Sequence, residues 1–115
     1  MGTITNGFRQ REKDFETKYQ HDEELNFRIC VKRNRLFGLW AADILGYKDE
    51  KAKCYIEEVT MADLQRTHKE SVLHKVLKDL EAAQITMSGH YLQKVLEKCR
   101  DEARQMVMND EESRS

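Results

Sequence analysis

Apolar residues recur at steps of three, four and seven through most of the chain, and this spacing predicts amphipathic helices. Four helices are predicted, over residues 22–45, 49–64, 71–83 and 89–108. Their apolar faces consist of Leu25, Ile29, Leu36, Trp40 and Ile44; Ala52, Tyr55, Ile56 and Val59; Val72, Leu73, Val76, Leu77 and Leu80; and Leu92, Val95, Leu96, Cys99, Ala103 and Met106. Short links between such helices predict an all-α fold, a small four-helix bundle-like domain.

Four residues mark where these helices begin, end or pack closely. Gly46 can adopt the left-handed conformation that closes a helix, while Asp49 and Ser88 are candidate N-caps for the helices that follow them. Gly38 lies inside a helix, where it costs about 1 kcal/mol relative to alanine. We therefore expect another element to pack closely against Gly38.

The first twenty residues carry a sparser pattern. Ile4, Phe8, Phe15 and Tyr19 step by four, seven and four, with charged residues of both signs between them. Such a thin stripe cannot hold a helix against a core, and an isolated helix of this length is marginal in water. We predict a mobile arm over residues 1–20 that becomes helical in a groove, a helical bundle over 21–109 and a disordered tail over 110–115.

The composition narrows the class of protein further. Twenty basic and 21 acidic residues give a net charge of −1, which argues against a general nucleic-acid or membrane-surface binder. The absence of proline and the five glycines disfavour an all-β fold. No apolar run approaches the ~20 residues that span a bilayer, and the N-terminus lacks the apolar core of a signal peptide. We expect a cytoplasmic protein with three reduced cysteines, since none of these shares a CxxC spacing.

No set of residues predicts catalysis or metal binding. His21, His68, His74 and His90 do not pair at ligand spacing, and no glycine-rich loop is available to hold a phosphate. The run 21–24 (HDEE) is interpreted as the charged first turn of a helix, which suits the positive end of the helix dipole. The expected protein is not an enzyme and holds no cofactor or metal.

One basic face stands out on this near-neutral chain. Arg28, Lys32 and Arg35 step by four and three along one side of the first predicted helix, with Arg33 beside them and no acidic residue between 28 and 35. Such a face is either solvated or a docking surface for an acidic partner or a phosphate group. It leaves open an alternative function, a small helical ligand-binding or nucleic-acid-associated module.

The stretch over residues 8–46 closely resembles a known family. It reads FRQREKDFETKYQHDEELNFRICVKRNRLFGLWAADILG. The recognisable pieces are Arg11-Glu12 with Phe15-Glu16 and Lys18, the HDEE run at 21–24, and Arg33-Asn34-Arg35-Leu36 leading into Gly38-Leu39-Trp40-Ala41-Ala42. These residues resemble the zeta subunit family of ATP synthase inhibitors from alphaproteobacteria.

The resemblance implies a small helical bundle preceded by an inhibitory arm, with no chemistry of its own. The arm would wedge into the catalytic head of the rotary ATP synthase, at an interface of the α and β subunits next to the γ rotor, and block rotation in the ATP-hydrolysis direction. The protein would then associate with the cytoplasmic face of the inner membrane through the synthase. The implied partner-binding residues are Ile4, Phe8, Arg9, Arg11, Glu12, Lys13, Phe15, Glu16, Lys18 and Tyr19.

Overall fold

The described residues of the chain form four helices. The computed structural model describes the backbone of residues 2–62 and 69–114, and the side chains of residues 21–62 and 72–113. The helices are α1 (Gly2–Leu45), α2 (Asp49–Met61), α3 (Lys69–Ala82) and α4 (Gly89–Arg114). No strand occurs in these ranges, so the predicted all-α class is confirmed.

Helix α1 is a single unbroken helix of 44 residues that includes both the predicted arm and the first predicted helix. At 1.5 Å per residue it is about 66 Å long, which accounts for most of the 72 Å length of the molecule. The interpretation of residues 21–24 as a first turn was wrong, because α1 begins at Gly2 and these residues lie in its interior. The division into an arm and a bundle domain stays a prediction.

The core lies where α1 packs on α2 and α4, with α3 closing the other side. Its largest fully buried side chains are Phe37, Val59, Val72, Val76, Leu80 and Leu92. A second, smaller cluster of Ile29, Ala103 and Val107 joins α1 to the distal part of α4. The antiparallel α4 therefore covers α1 from near Trp40 back toward His21.

The far end of α4 differs from its predicted limit. Met106, predicted to be buried, is 45% exposed, whereas Val107 is buried beside Ile29. The helix also continues to Arg114, past the predicted end at residue 108 and through most of the predicted tail. The physical reason is that Val107 gives this last part of α4 an apolar anchor on α1, and Glu111 adds a polar one.

Two of the three predicted helix boundaries are confirmed. Gly46 has a φ of +78°, and the Tyr47 amide donates to the Ala42 carbonyl at 2.9 Å, which closes α1. Ser88 caps α4, because its Oγ accepts a hydrogen bond from the Tyr91 amide at 3.0 Å. Asp49 is not the N-cap of α2: the capping position is Lys48, which makes no side-chain capping bond.

Gly38 lies against α2, as predicted. A Cβ atom at this position would be 3.1 Å from the Val59 Cβ and 3.2 Å from the Ile56 Cα. Both distances are shorter than an ordinary van der Waals contact, so a side chain at position 38 would require α2 to shift by a few tenths of an ångström.

Candidate interaction site on the first helix

The predicted inhibitory residues all lie on the N-terminal part of α1. Their backbone is helical and continuous with the bundle. The side chains of Ile4, Phe8, Arg9, Arg11, Glu12, Lys13, Phe15, Glu16, Lys18 and Tyr19 lie outside the described residues. Their role as contact residues therefore stays a prediction.

The point where α1 leaves the bundle is marked by a cluster of charges. Arg28 Nη1 lies 2.5 Å from Glu111 Oε1 near the end of α4, and His21 Nε2 lies 3.8 Å from the other carboxylate oxygen. Both partners in the Arg28–Glu111 pair are about one-third exposed, so the pair contributes modestly to stability. Its main effect is to fix the last turns of α4 against α1.

The predicted basic face is only partly available. Arg28 is paired with Glu111, whereas no carboxylate of the described residues lies within 4 Å of Lys32 or Arg35. Arg33 is not part of the face: it is only 6% exposed, and its Nε and Nη2 both lie 3.0 Å from the Asn34 Oδ1, to which they donate. Sequence spacing alone could not show this, because the apolar stem of an arginine can be buried.

Apolar side chains accompany Lys32 and Arg35. Phe27, Val31 and Val107 line a shallow groove together with Arg28, Lys32 and Arg35. Phe27 is 52% exposed, so much of its ring is open to a partner. We call Phe27, Val31, Lys32, Arg35 and Val107 the α1 groove.

A second open cleft lies at the other end of α1, facing α4. The Trp40 ring stacks on Phe37, with centroids 5.7 Å apart, and meets Tyr91 of α4 at 6.4 Å. Leu39 and Lys94 are among the other residues that line the cleft. The spacing of apolar residues places Trp40 on the apolar face of its helix but gives no signal for the cleft, because Tyr91 belongs to none of the predicted apolar faces.

A small polar cluster joins α2 to α3. The Tyr55 hydroxyl donates to Asp79 Oδ2 at 2.9 Å, and Lys75 Nζ lies 3.3 Å from the same oxygen and 3.5 Å from Glu58. Burial, together with the hydrogen bond to Asp79, raises the pKa of the Tyr55 phenol well above its usual value. A neutral Tyr55 phenol that donates to Asp79, a carboxylate also paired with Lys75, suits a structural contact.

The three cysteines are free thiols, as predicted, but they differ in exposure. Cys99 is buried, Cys30 is half-buried and Cys54 is exposed, so Cys54 does not belong to an apolar face. Burial, with the charge of Glu102 nearby, raises the pKa of the Cys99 thiol to about 11. A thiol with such a pKa is a poor nucleophile at neutral pH.

In the part of the chain that the structure describes, no three His, Cys, Asp or Glu residues converge as a metal site would require. His21, His74 and His90 are exposed, and His68 lies outside the described residues. None of the described helices has a stretch that is long and apolar enough to cross a membrane. The open surfaces of the described residues include the α1 groove and the cleft beside Trp40.

Comparison with known proteins agrees with an interaction role. A family model described as ATPase inhibitor subunit zeta matches residues 5–106, which is most of the chain and includes both the N-terminal part of α1 and the bundle. A search of curated proteins gave no significant match. The family description denotes a subunit that inhibits an ATPase, which is a regulatory role.

Proposed function

The chain belongs to the ATPase inhibitor subunit zeta family, and from this premise we propose that the N-terminal part of α1 is the inhibitory element. It inserts as a helix into the catalytic head of the rotary ATP synthase, where the α and β subunits meet next to the γ rotor. There it blocks rotation in the direction of ATP hydrolysis. The protein acts at the cytoplasmic face of the inner membrane, attached through the synthase.

The observation that carries this proposal is that α1 continues beyond the part of it that α4 covers. Glu111, near the end of α4, lies beside His21 and Arg28 of α1, and α4 ends three residues farther on, at Arg114. The backbone of α1 extends beyond His21 to Gly2. A helix longer than its own bundle needs is suited to present its free end to another molecule.

The register of the apolar positions supports the same conclusion. Phe15 and Arg33 are eighteen residues apart, as are Tyr19 and Phe37, and eighteen residues are five full helical turns. Arg33 and Phe37 are both buried inside the bundle. On a continuous helix, Phe15 and Tyr19 therefore lie on the same side of α1 as Arg33 and Phe37. Since that side is buried in the bundle, we expect a partner to cover it in the arm.

The proposed inhibition is mechanical and needs no bound cofactor. Aromatic residues bury the most area for the least loss of rotamer entropy, which makes Phe8, Phe15 and Tyr19 the expected anchors. The charged residues between them, Arg11 and Lys13 among them, would lie at the rim and contribute mainly to specificity and association rate. The bundle would be too bulky to follow the arm, and it would stay outside the pocket of the catalytic head that receives the arm.

The test is a hydrolysis assay on the cognate catalytic head. Phe15→Ala should weaken inhibition about thirtyfold, because truncating a well-buried aromatic anchor typically costs about 2 kcal/mol. Deleting residues 2–19 should abolish inhibition. Melting curves of both variants should stay close to the wild-type curve, since the arm lies outside the bundle core.

Thr17→Ala is the matched control, because it is two residues from both Phe15 and Tyr19, which places it about 160° around α1 from each of them. It should inhibit like the wild type. Full inhibition by the protein that lacks residues 2–19 would show that the arm is not the inhibitory element.

A further inference from the structure

The α1 groove has the composition of a contact surface rather than of a solvated helix face. Phe27 is 52% exposed, while Val107 at the floor of the groove is only 5% exposed. Val31 is half-buried between them along α1. Half-exposed aromatic residues beside an apolar floor are typical of residues that anchor a protein interface.

The α1 groove carries a net positive charge among the described residues. Glu111 neutralises Arg28 at one edge. Lys32 and Arg35 have no carboxylate within 4 Å among the described residues, so two positive charges flank the apolar floor without compensation. An acidic partner surface could bury Lys32 and Arg35 at little cost in desolvation free energy, because its carboxylates would pair with them.

The position of the groove places it near the proposed inhibitory element. Phe27 follows Tyr19 by eight residues on the same continuous helix, which corresponds to about 12 Å along the axis. A partner large enough to receive the arm up to Tyr19 therefore extends to the level of the groove.

We propose that the α1 groove is a second docking site, which binds an acidic and partly apolar protein surface at the rim of the pocket that receives the arm. This inference rests on the proposed function and adds a partner surface to it. The arm provides inhibition, and the groove provides affinity and orientation. Lys32 and Arg35 pair with carboxylates of the partner, while Phe27 packs into an apolar depression between them.

A protein surface fits the groove better than a membrane or a nucleic acid. Recognition of anionic lipid typically takes a cluster of about four to eight basic residues, and the groove has only two cations, Lys32 and Arg35, for which the described residues supply no carboxylate. Duplex DNA carries one charge per ~1.7 Å and is bound through many phosphate contacts, which this near-neutral chain does not provide. Two cations flanking a half-exposed aromatic residue are on the scale of a specific protein contact.

The test measures inhibition of the catalytic head by full-length variants at low and high salt. Lys32→Glu/Arg35→Glu should raise the concentration for half-maximal inhibition at least tenfold at low salt. This variant should also largely lose the salt dependence that inhibition by the wild type shows. Phe27→Ala should cause a similar loss that is independent of salt. All three substitutions should leave the maximal inhibition at saturation unchanged, because the arm is intact.

The matched control is Lys53→Glu/Lys78→Glu, which makes the same change in net charge at exposed positions on α2 and α3. It should inhibit like the wild type, and a loss equal to that of the groove variant would mean that net charge alone matters. If the double reversal unfolds the bundle by circular dichroism, Lys32→Gln/Arg35→Gln replaces it, with an expected loss of about threefold or more.

Phe15→Ala separates the two proposals. Loss of inhibition by Phe15→Ala together with wild-type behaviour of both groove variants would overturn the docking site and leave the arm proposal standing. Loss in the groove variants with wild-type behaviour of Phe15→Ala would overturn the arm proposal instead. Salt-sensitive binding of the wild type to phosphatidylglycerol vesicles, lost in Lys32→Glu/Arg35→Glu, would assign the groove to a membrane surface and overturn the protein assignment.

Discussion

At the scale of single residues, Gly38 sets the distance between α1 and α2. Its missing side chain makes room for α2, since a Cβ atom at position 38 would lie 3.1 Å from the Val59 Cβ and 3.2 Å from the Ile56 Cα. The close approach buries Phe37 and Val59 completely. The gain in packing offsets the conformational cost of a glycine in the middle of a long helix.

Gly38→Ala should therefore destabilise the protein, although alanine is the better helix former. Overpacking costs about 1–3 kcal/mol, and the gain in helix propensity returns about 1 kcal/mol, so a net loss of about 1 kcal/mol is expected in urea unfolding. Gly89→Ala is the control, since no atom lies within 4 Å of its added Cβ. A Gly38 variant as stable as the Gly89 variant would contradict the close-packing argument.

Cys99 gives a residue-scale prediction for the dependence of stability on pH. Its thiol pKa is about 11 in the folded protein, against a reference value of 9.0. Between these values the unfolded chain binds fewer protons than the folded one, so the free energy of unfolding falls as pH rises, by at most ~1.4 kcal/mol per pH unit. The stabilisation is fully present below pH 9 and is lost by about pH 11.

The measurement is the free energy of unfolding from pH 8 to pH 10.5. The free energy of unfolding of Cys99→Ala should decline less steeply with pH than that of the wild type over this range. Cys54→Ala, at an exposed thiol, should keep the wild-type slope. Tyr55, whose phenol pKa is also raised, adds a decline above pH 10 that all three proteins share. Parallel curves for Cys99→Ala and the wild type would rule out the role assigned to Cys99.

At the scale of elements, α1 and α3 end in the same way with different residues. Gly46 closes α1 with a φ of +78°, and Gln84 follows α3 with a φ of +61°. The Ile85 amide donates to the Leu80 carbonyl at 2.9 Å, and the Gln84 amide to the Glu81 carbonyl at 3.0 Å. Both ends are Schellman motifs, in which the left-handed residue is normally glycine.

Gln84→Gly should stabilise the protein, because a side chain in the left-handed region costs about 1 kcal/mol. Part of that gain is lost to the greater freedom of glycine in the unfolded chain, so a net increase of about 0.5 kcal/mol is expected in the free energy of unfolding. Gly46→Ala, the converse change at the end of α1, should lower it by about 1 kcal/mol. Destabilisation by Gln84→Gly would contradict the strain argument.

The elements also show what the sequence could predict. The dense apolar faces of α2, α3 and α4 predicted where these helices begin to within two residues, because at least three buried positions per helix outweigh any local irregularity. The beginning of α1 could not be located, since four apolar residues in twenty do not show where a helix starts. Arg33 and Met106 were misplaced, because the burial of an arginine and a one-residue shift of an apolar face depend on contacts with another helix.

At the scale of the whole molecule, the protein is elongated. Its radius of gyration is 19.1 Å, against about 13 Å for a compact domain of this length. The long axis is 72 Å, and the other two are 27 and 21 Å. The length comes from α1, which carries the α1 groove close to the point where α4 stops covering it. The α1 groove on the bundle and the proposed anchors of the arm therefore follow one another along the axis of α1.

The continuity of α1 also bears on the energetics of forming an inhibitory helix. An isolated peptide must first fix one turn, with a nucleation constant of about 10⁻³, equivalent to roughly 4 kcal/mol. In this chain the bundle holds residues 21–45 as helix, so a template turn exists before any partner arrives. Each residue added toward Gly2 is then only a propagation step. The arm is therefore expected to bind more tightly as part of the whole protein than as a free peptide of the same sequence.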